Sequence, residues 1–207
     1  MASLAASQTG CRPVLEALLR VLDSALSPGW TDALLARFST LADVLAASPE
    51  AQARATGSRA VADLLLSVRR AQLHALRIPL IDRPIVSSSE TLRAYLHGRL
   101  AHQGHECLHV LYLDARNHLL RDETAATGSV SEVTMHPRTI LHRALDVGAT
   151  ALIVVHNHPS GDPEPSADDR HATHRLAAAA SSLDIRIHDH LIVARRGTIS
   201  FRAAGLL

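Results

Sequence analysis

Apolar residues recur along this chain at two different periods, and the change of period divides it. Val14, Leu15, Leu18, Leu19 and Leu22 fall at three-four spacing, which predicts a helix from Pro13 that Ser27-Pro28-Gly29 stops. Thr31-Asp32 offers caps for a second helix through Leu34, Leu35 and Phe38, and Thr40 opens a short third through Leu41, Val44 and Leu45. Ser48-Pro49 reads as an N-cap followed by proline at the first helical position. After Gly57-Ser58 a longer helix carries Val61, Leu64, Leu65, Val68, Leu73 and Leu76. Residues 1 to 10, small and polar, are expected to be disordered.

Past a proline-marked linker, Ile78-Pro79 through Arg83-Pro84, strands join the pattern. Ser87 to Glu90 supplies caps for a helix through Leu92, Tyr95, Leu96 and Leu100. Cys107 to Leu113 is an apolar strand, Asp114 to Asn117 has hairpin-turn composition, and His118 to Ala126 returns until Gly128 breaks it. Val130 to Met135 predicts another short strand. His136-Pro137-Arg138 then opens a helix through Ile140, Leu141, Ala144 and Leu145, ended by Gly148. Ala151 to Val155, β-branched and without polar residues, reads as a buried strand. A helix from about Ser166 to Leu183 follows. Ile185 to Ile187 and His190 to Ala194 form a strand pair or one bent strand, and Thr198 to Phe201 a last strand. This order predicts an α/β sandwich with a mixed or antiparallel sheet over residues 84–207, preceded by a small all-α domain over residues 11–77.

Composition narrows the function classes. Of 207 residues 47% are apolar, enough for a sizeable core, while aromatics at 2% leave no stacking platform for single-stranded nucleic acid. The formal charge is +1 and all 21 basic residues are arginine, so no polybasic footprint argues for nucleic acid. Cys11 and Cys107 stand in no metal-type spacing, which fits a reducing cytosol. No stretch approaches the roughly eighteen continuous apolar residues of a membrane helix, and residues 1 to 10 lack the pattern of a signal peptide. A cytoplasmic protein with no membrane partner is expected.

The chemistry gathers after the buried strand, in His156-Asn157-His158-Pro159-Ser160-Gly161-Asp162-Pro163-Glu164-Pro165-Ser166-Ala167-Asp168-Asp169. Side chains two apart on a strand point the same way, so His156 and His158 share a face just past its end. The prolines and glycine force a loop, and Ser166 N-caps the next helix with Asp169 on its first turn. Two imidazoles and a carboxylate then form an N/N/O set that leaves one tetrahedral position of a zinc ion open for water, the layout of a catalytic site. Ser166-x-x-Asp169 is equally a capping box of purely structural value. Asp168 is expected to face away on the helix.

The string His156 to Ser166, with Asp169, resembles the JAMM motif of the MPN metalloprotease superfamily, and the bacterial RadC family in particular. The resemblance takes in Thr127-Gly128, Met135 to Ile140, Thr173 and Ile187 to Val193, and covers about residues 84 to 207. It implies an MPN/JAMM-type (cytidine-deaminase-like) fold and a zinc-dependent hydrolase that cleaves an amide or isopeptide bond in a protein or peptide-like substrate. By the same resemblance His156, His158 and Asp169 are the ligands and Ser166 helps bind the oxyanion. Glu123 is the general base, with Glu132 its rival, and Asp189 and His190 are candidate partners of a ligand imidazole. Residues 11–77 resemble the family's N-terminal domain, whose last turn is a helix-hairpin-helix Gly-x-Gly in which amides approach phosphate. Here that turn keeps Gly57 and lacks the second glycine. A DNA-associated accessory protein is therefore the alternative reading, with Arg54, Arg59, Arg69 and Arg70 as phosphate contacts and the near-neutral charge against it.

Overall fold

The computed structural model describes residues 2–207 apart from 82, 87, 88 and 129–133, with side chains from residue 10 onward. The chain falls into two compact units, residues 1–74 and 75–207.

Helices alone build the first unit: α1 (Ala2–Leu19), α2 (Ser27–Arg37), α3 (Leu41–Ala46), α4 (Pro49–Thr56) and most of α5 (Arg59–Arg77). Leu15, Leu19, Leu34, Val44, Val61 and Leu65 close around one buried cluster. Two expectations change here. Residues 2 to 10 continue α1 rather than lying disordered, in keeping with the strong helix propensity of Ala2, Ala5 and Ala6. Ser27-Pro28-Gly29 begins α2 instead of ending a helix. Proline fits the first helical turn because its missing N–H is an orphan there. The N-cap of α2, Leu26, offers no side-chain cap, and Asp23 Oδ1 instead orders the turn just upstream by accepting from the N–H groups of Ala25 and Leu26 at 2.8 and 3.0 Å. Thr40 and Ser48 cap α3 and α4 as their spacing predicts, and Gly57 ends α4 at φ +68°. Arg59 is engaged with Asp63 at 3.1 Å.

The second unit is a mixed five-stranded sheet with helices on both faces. A 3-10 turn (Ile78–Leu80) leads to α6 (Glu90–Leu100), then β1 (Cys107–Leu113), β2 (Leu119–Thr127), α7 (Pro137–Asp146), β3 (Ala151–Asn157), α8 (Ala167–Ser181), β4 (Arg186–Ala194) and β5 (Gly197–Ser200). Spatial order is β2-β1-β3-β4-β5, antiparallel throughout except for the β3–β4 pair. Strand alternation sorts the core. Leu111, Leu113, Ile153, Val155 and Leu191 face Leu92, Tyr95 and Leu96 of α6. Leu108, Val110, Leu152 and Val154 face Ile140 and Ala144 of α7 and Leu176 and Ala180 of α8. With both faces covered, β1 and β3 are buried along their whole length, which is why they read as largely apolar runs. β4 is one continuous strand, and the register slips at His188, between the Leu152–Ile187 and Ile153–Asp189 pairs. The strand expected over residues 130–135 falls mostly outside the described residues, as does Glu132. Among the described residues no helix is long and apolar enough to cross a membrane.

Candidate metal centre

β3 delivers His156 at its buried end, and His158 follows where the chain leaves the sheet. The loop after it turns at Gly161, whose φ of +89° would strain any residue with a Cβ. Gly161 N–H donates to the His158 carbonyl at 3.1 Å, and Arg196 N–H donates to the Gly161 carbonyl at 3.2 Å. Arg195 Nη2 donates to the Pro159 carbonyl at 2.8 Å, so residues just beyond β4 tie this loop down. The loop then enters α8 through a complete capping box. Ser166 Oγ accepts from Asp169 N–H at 3.1 Å, and Asp169 Oδ2 accepts from Ser166 N–H at 2.8 Å and Ser166 Oγ at 2.6 Å.

A sheet end, a pinned loop and a helix cap thereby bring three side chains to one point. His156 Nε2 lies 2.9 Å from His158 Nε2 and 3.1 Å from Asp169 Oδ1, and His158 Nε2 is 3.5 Å from Asp169 Oδ2. The donor atoms of the three residues all lie within 4.8 Å of one another, and no other such group occurs among the described residues.

What surrounds the rings decides which nitrogens are offered. His158 Nδ1 is 2.9 Å from the Asp162 carbonyl, which can only accept, so Nδ1 carries the hydrogen. His156 Nδ1 is 2.8 Å from His190 Nε2, and His190 Nδ1 is 2.6 Å from Thr173 Oγ1. The Thr173 hydroxyl donates to the Asp169 carbonyl at 2.6 Å, so it accepts from His190 Nδ1–H. His190 Nε2 then accepts from His156 Nδ1–H, and His156, like His158, presents a lone pair on Nε2. Burial, followed by the charge of His156, pushes the His190 imidazolium pKa well below its ordinary value, consistent with a neutral ring.

Two lone pairs and a carboxylate aimed at one point repel each other unless a cation stands among them. A proton answers part of this demand. The Asp169 hydrogen bond raises the His158 pKa against the opposing effect of burial. At Asp169 burial raises the carboxyl pKa, but the neighbouring His156 and His158 rings, with the Ser166 hydroxyl, outweigh it and hold the group well below the usual carboxylate range. The donor set, two neutral imidazoles and one ionised carboxylate, fits zinc.

A cavity of about 530 Å³ opens beside the three residues, walled by Glu106, Thr134, Met135, Ser166, His171 and Arg175 among others. Asp168 is on this wall too, contrary to the expectation that it faces away. Glu123 is not brought to the triad. It sits opposite Val110 on β2, two strands or about 10 Å across from β3. Arg143 of α7 holds both its oxygens, at 2.8 and 2.5 Å. Among the described residues, the glutamate that reaches the cavity is Glu106. β1 and β3 run antiparallel with Leu108 opposite His156, so continuing the register puts Glu106 opposite His158. Alternation with Leu108 and Val110 was the available signal, but it needed the strand pairing to be read. Of the pair Asp189 and His190, only His190 touches a triad ring. Asp189 accepts from Ser200 Oγ at 2.6 Å and from Arg202 N–H at 3.1 Å, fastening β4 to the turn after β5.

Comparison with known proteins agrees with this architecture. A UPF0758 protein of Rhodobacter capsulatus is 42% identical over 175 residues, covering 84% of this chain and 82% of the relative. One from Ruegeria pomeroyi is 40% identical over 177 residues, covering 84% and 78%. The family model described as a RadC-like JAB domain matches residues 85–206, the part that contains the sheet, the triad and the cavity, and the chain belongs to this family.

Proposed function

We propose that the protein is a zinc-dependent hydrolase of the JAMM type that cleaves an amide or isopeptide bond. The observation that carries the reading is the convergence of His156 Nε2, His158 Nε2 and Asp169, each held from behind, on the edge of a cavity. These three residues hold the metal. When bound, zinc supplies Lewis acidity to a carbonyl and acidifies water. Glu106, opposite His158, takes the proton of the attacking water on its carboxylate and hands it to the leaving nitrogen, the base role that the family resemblance implied for Glu123. Ser166 Oγ, on the cavity wall, turns its one hydroxyl hydrogen from Asp169 Oδ2 to the oxyanion formed at the substrate carbonyl. Arg143 keeps Glu123 ionised and occupied, with the Arg143 hydrogen bonds the main reason its pKa is lowered.

Elemental analysis of the purified protein beside His158→Ala and Asp169→Ala tests the reading. About one zinc per chain, absent from both variants, is the expected result. Wild-type protein that neither retains zinc nor takes it up would overturn it.

A further inference from the structure

We propose that Asn157, the residue between the two histidines, is the positioning residue for Glu106. The task assigned to Glu106 rests on the hydrolase reading above; the way Asn157 holds it does not. Ladder pairing between β1 and β3 ends at Leu108 and His156. One step further the Asn157 side chain takes the place of the missing ladder. Its Oδ1 accepts from Cys107 N–H at 2.8 Å, and its Nδ2 donates to the His105 carbonyl at 3.0 Å. Those two backbone groups flank Glu106. From the other side, Gly128 N–H donates to the carbonyl of Glu106 itself at 2.8 Å. The backbone around Glu106 is thus gripped from both neighbouring strands.

Asparagine suits the position because a single short side chain must offer one acceptor and one donor. Aspartate lacks the donor, and leucine, of nearly the same shape, lacks both. Asn157 is fully buried, so its loss leaves Cys107 N–H and the His105 carbonyl short of a partner. Three consecutive residues at the end of β3 and one step beyond it therefore set both sides of the centre. His156 and His158 point to one face and carry the metal-binding nitrogens. Asn157 points to the other and anchors the segment that presents the base. The spacing between metal ligands and base is then fixed by the geometry of one tripeptide.

Two measurements test this. On zinc-loaded protein the probe is acetohydroxamic acid, a zinc chelator whose hydroxyl hydrogen needs an acceptor beside the metal. Glu106→Gln should weaken its binding about tenfold or more, Asn157→Leu by a similar factor, and the double variant no further than either. Zinc stoichiometry should stay that of the wild type in all three. Wild-type affinity in Asn157→Leu, additive losses in the double variant, or failure of Asn157→Leu to take up zinc would each overturn the proposal. Hydrogen exchange on the metal-free protein stands apart from the hydrolase reading. Asn157→Leu should speed exchange at the Cys107 amide by at least about tenfold while Val110 and Leu111 stay protected. Unchanged exchange at Cys107 would overturn the proposal even if the protein binds no zinc.

Discussion

Asp169 and Asp122 are both carboxylates beside imidazoles in the sheet unit, and their settings differ in what is left over. Asp122 lies on β2 facing α6, its side chain 2% exposed. The Tyr95 hydroxyl donates to it, Arg99 Nη1 stands 3.9 Å away and His109 Nδ1 3.6 Å away. Burial raises the Asp122 pKa, and the neighbouring His109 ring, the Arg99 charge and the Tyr95 hydroxyl together bring it below the ordinary value. The same closeness, led by burial, pushes the Tyr95 phenol up beyond its usual range. Cation and anion are both supplied by the chain, so the charge of the carboxylate is met from within. Asp169 is 19% exposed and takes its hydrogen bonds from the Ser166 side of its carboxylate. On its other side stand two Nε2 atoms whose Nδ1 partners already have hydrogen bonds. One carboxylate completes a buried ion cluster; the other belongs to a cluster still short of positive charge.

The largest effect that would sharpen this contrast comes from Asp122→Ala. Removing the anion leaves the Arg99 charge and His109 without their counter-charge, a loss of about 3 kcal/mol. The melting temperature of the unit should fall by roughly 10 °C while zinc uptake stays at the wild-type level. Asp169→Ala should do the reverse, emptying the metal centre while costing only the value of a helix cap, about 1 kcal/mol. Thermal melts and metal analysis on both variants decide it. Loss of zinc in Asp122→Ala would break the comparison, because the two clusters would then be coupled through β1.

The difference between the two clusters also marks what the sequence could tell. The triad and its cap were legible because their geometry is local: His156 and His158 are two apart on a strand, and Ser166 and Asp169 are at capping-box spacing. The α/β class followed from the same local signals, since β1 and β3 are apolar runs and the helices keep their period. Contacts made by strand register were not legible. Glu106 meets the centre through antiparallel pairing of segments some fifty residues apart, which no spacing in the chain expresses. Glu123 is the right residue type on the correct face, yet it is two strands away from β3 and paired with Arg143. Asp122 gave no signal either, for its partners come from α6 and β1. The start of α2 shows the same limit at short range, because Ser-Pro-Gly fits either end of a helix.

A smaller effect should follow from Thr173→Val, which keeps the branched shape and removes the hydroxyl. His190 Nδ1–H then has no acceptor, and nothing directs the His190 lone pair toward His156 Nδ1–H. Zinc affinity, measured by competition with a chelator, should drop by about tenfold to a hundredfold. The Asp122 cluster, on the other face of the sheet, should not register the change. An affinity equal to the wild type would show that the tautomer of His156 is set without Thr173.

The smallest expected effect is a pH dependence that the two clusters should not share. His158 has a raised folded-state pKa, so its pairing with Asp169 stabilises the metal-free protein fully below the unfolded value of about 6.5 and is lost as pH rises through the folded value. Zinc binding must displace that proton, and the affinity should therefore climb by up to about tenfold per unit over the same rise in pH. Asp122, with a lowered folded-state pKa, contributes stability above about 3.9 and loses it only as pH falls through its folded value. Between pH 6 and about 9, metal-free and zinc-loaded melting temperatures should accordingly diverge, the first falling and the second rising. His158→Gln should remove the His158 increment from the metal-free curve, whereas the contribution of Asp122 stays flat across this window. Parallel curves for the two wild-type forms would mean that His158 holds no extra proton in the metal-free protein, and the charge deficit assigned to the Asp169 cluster would be met some other way.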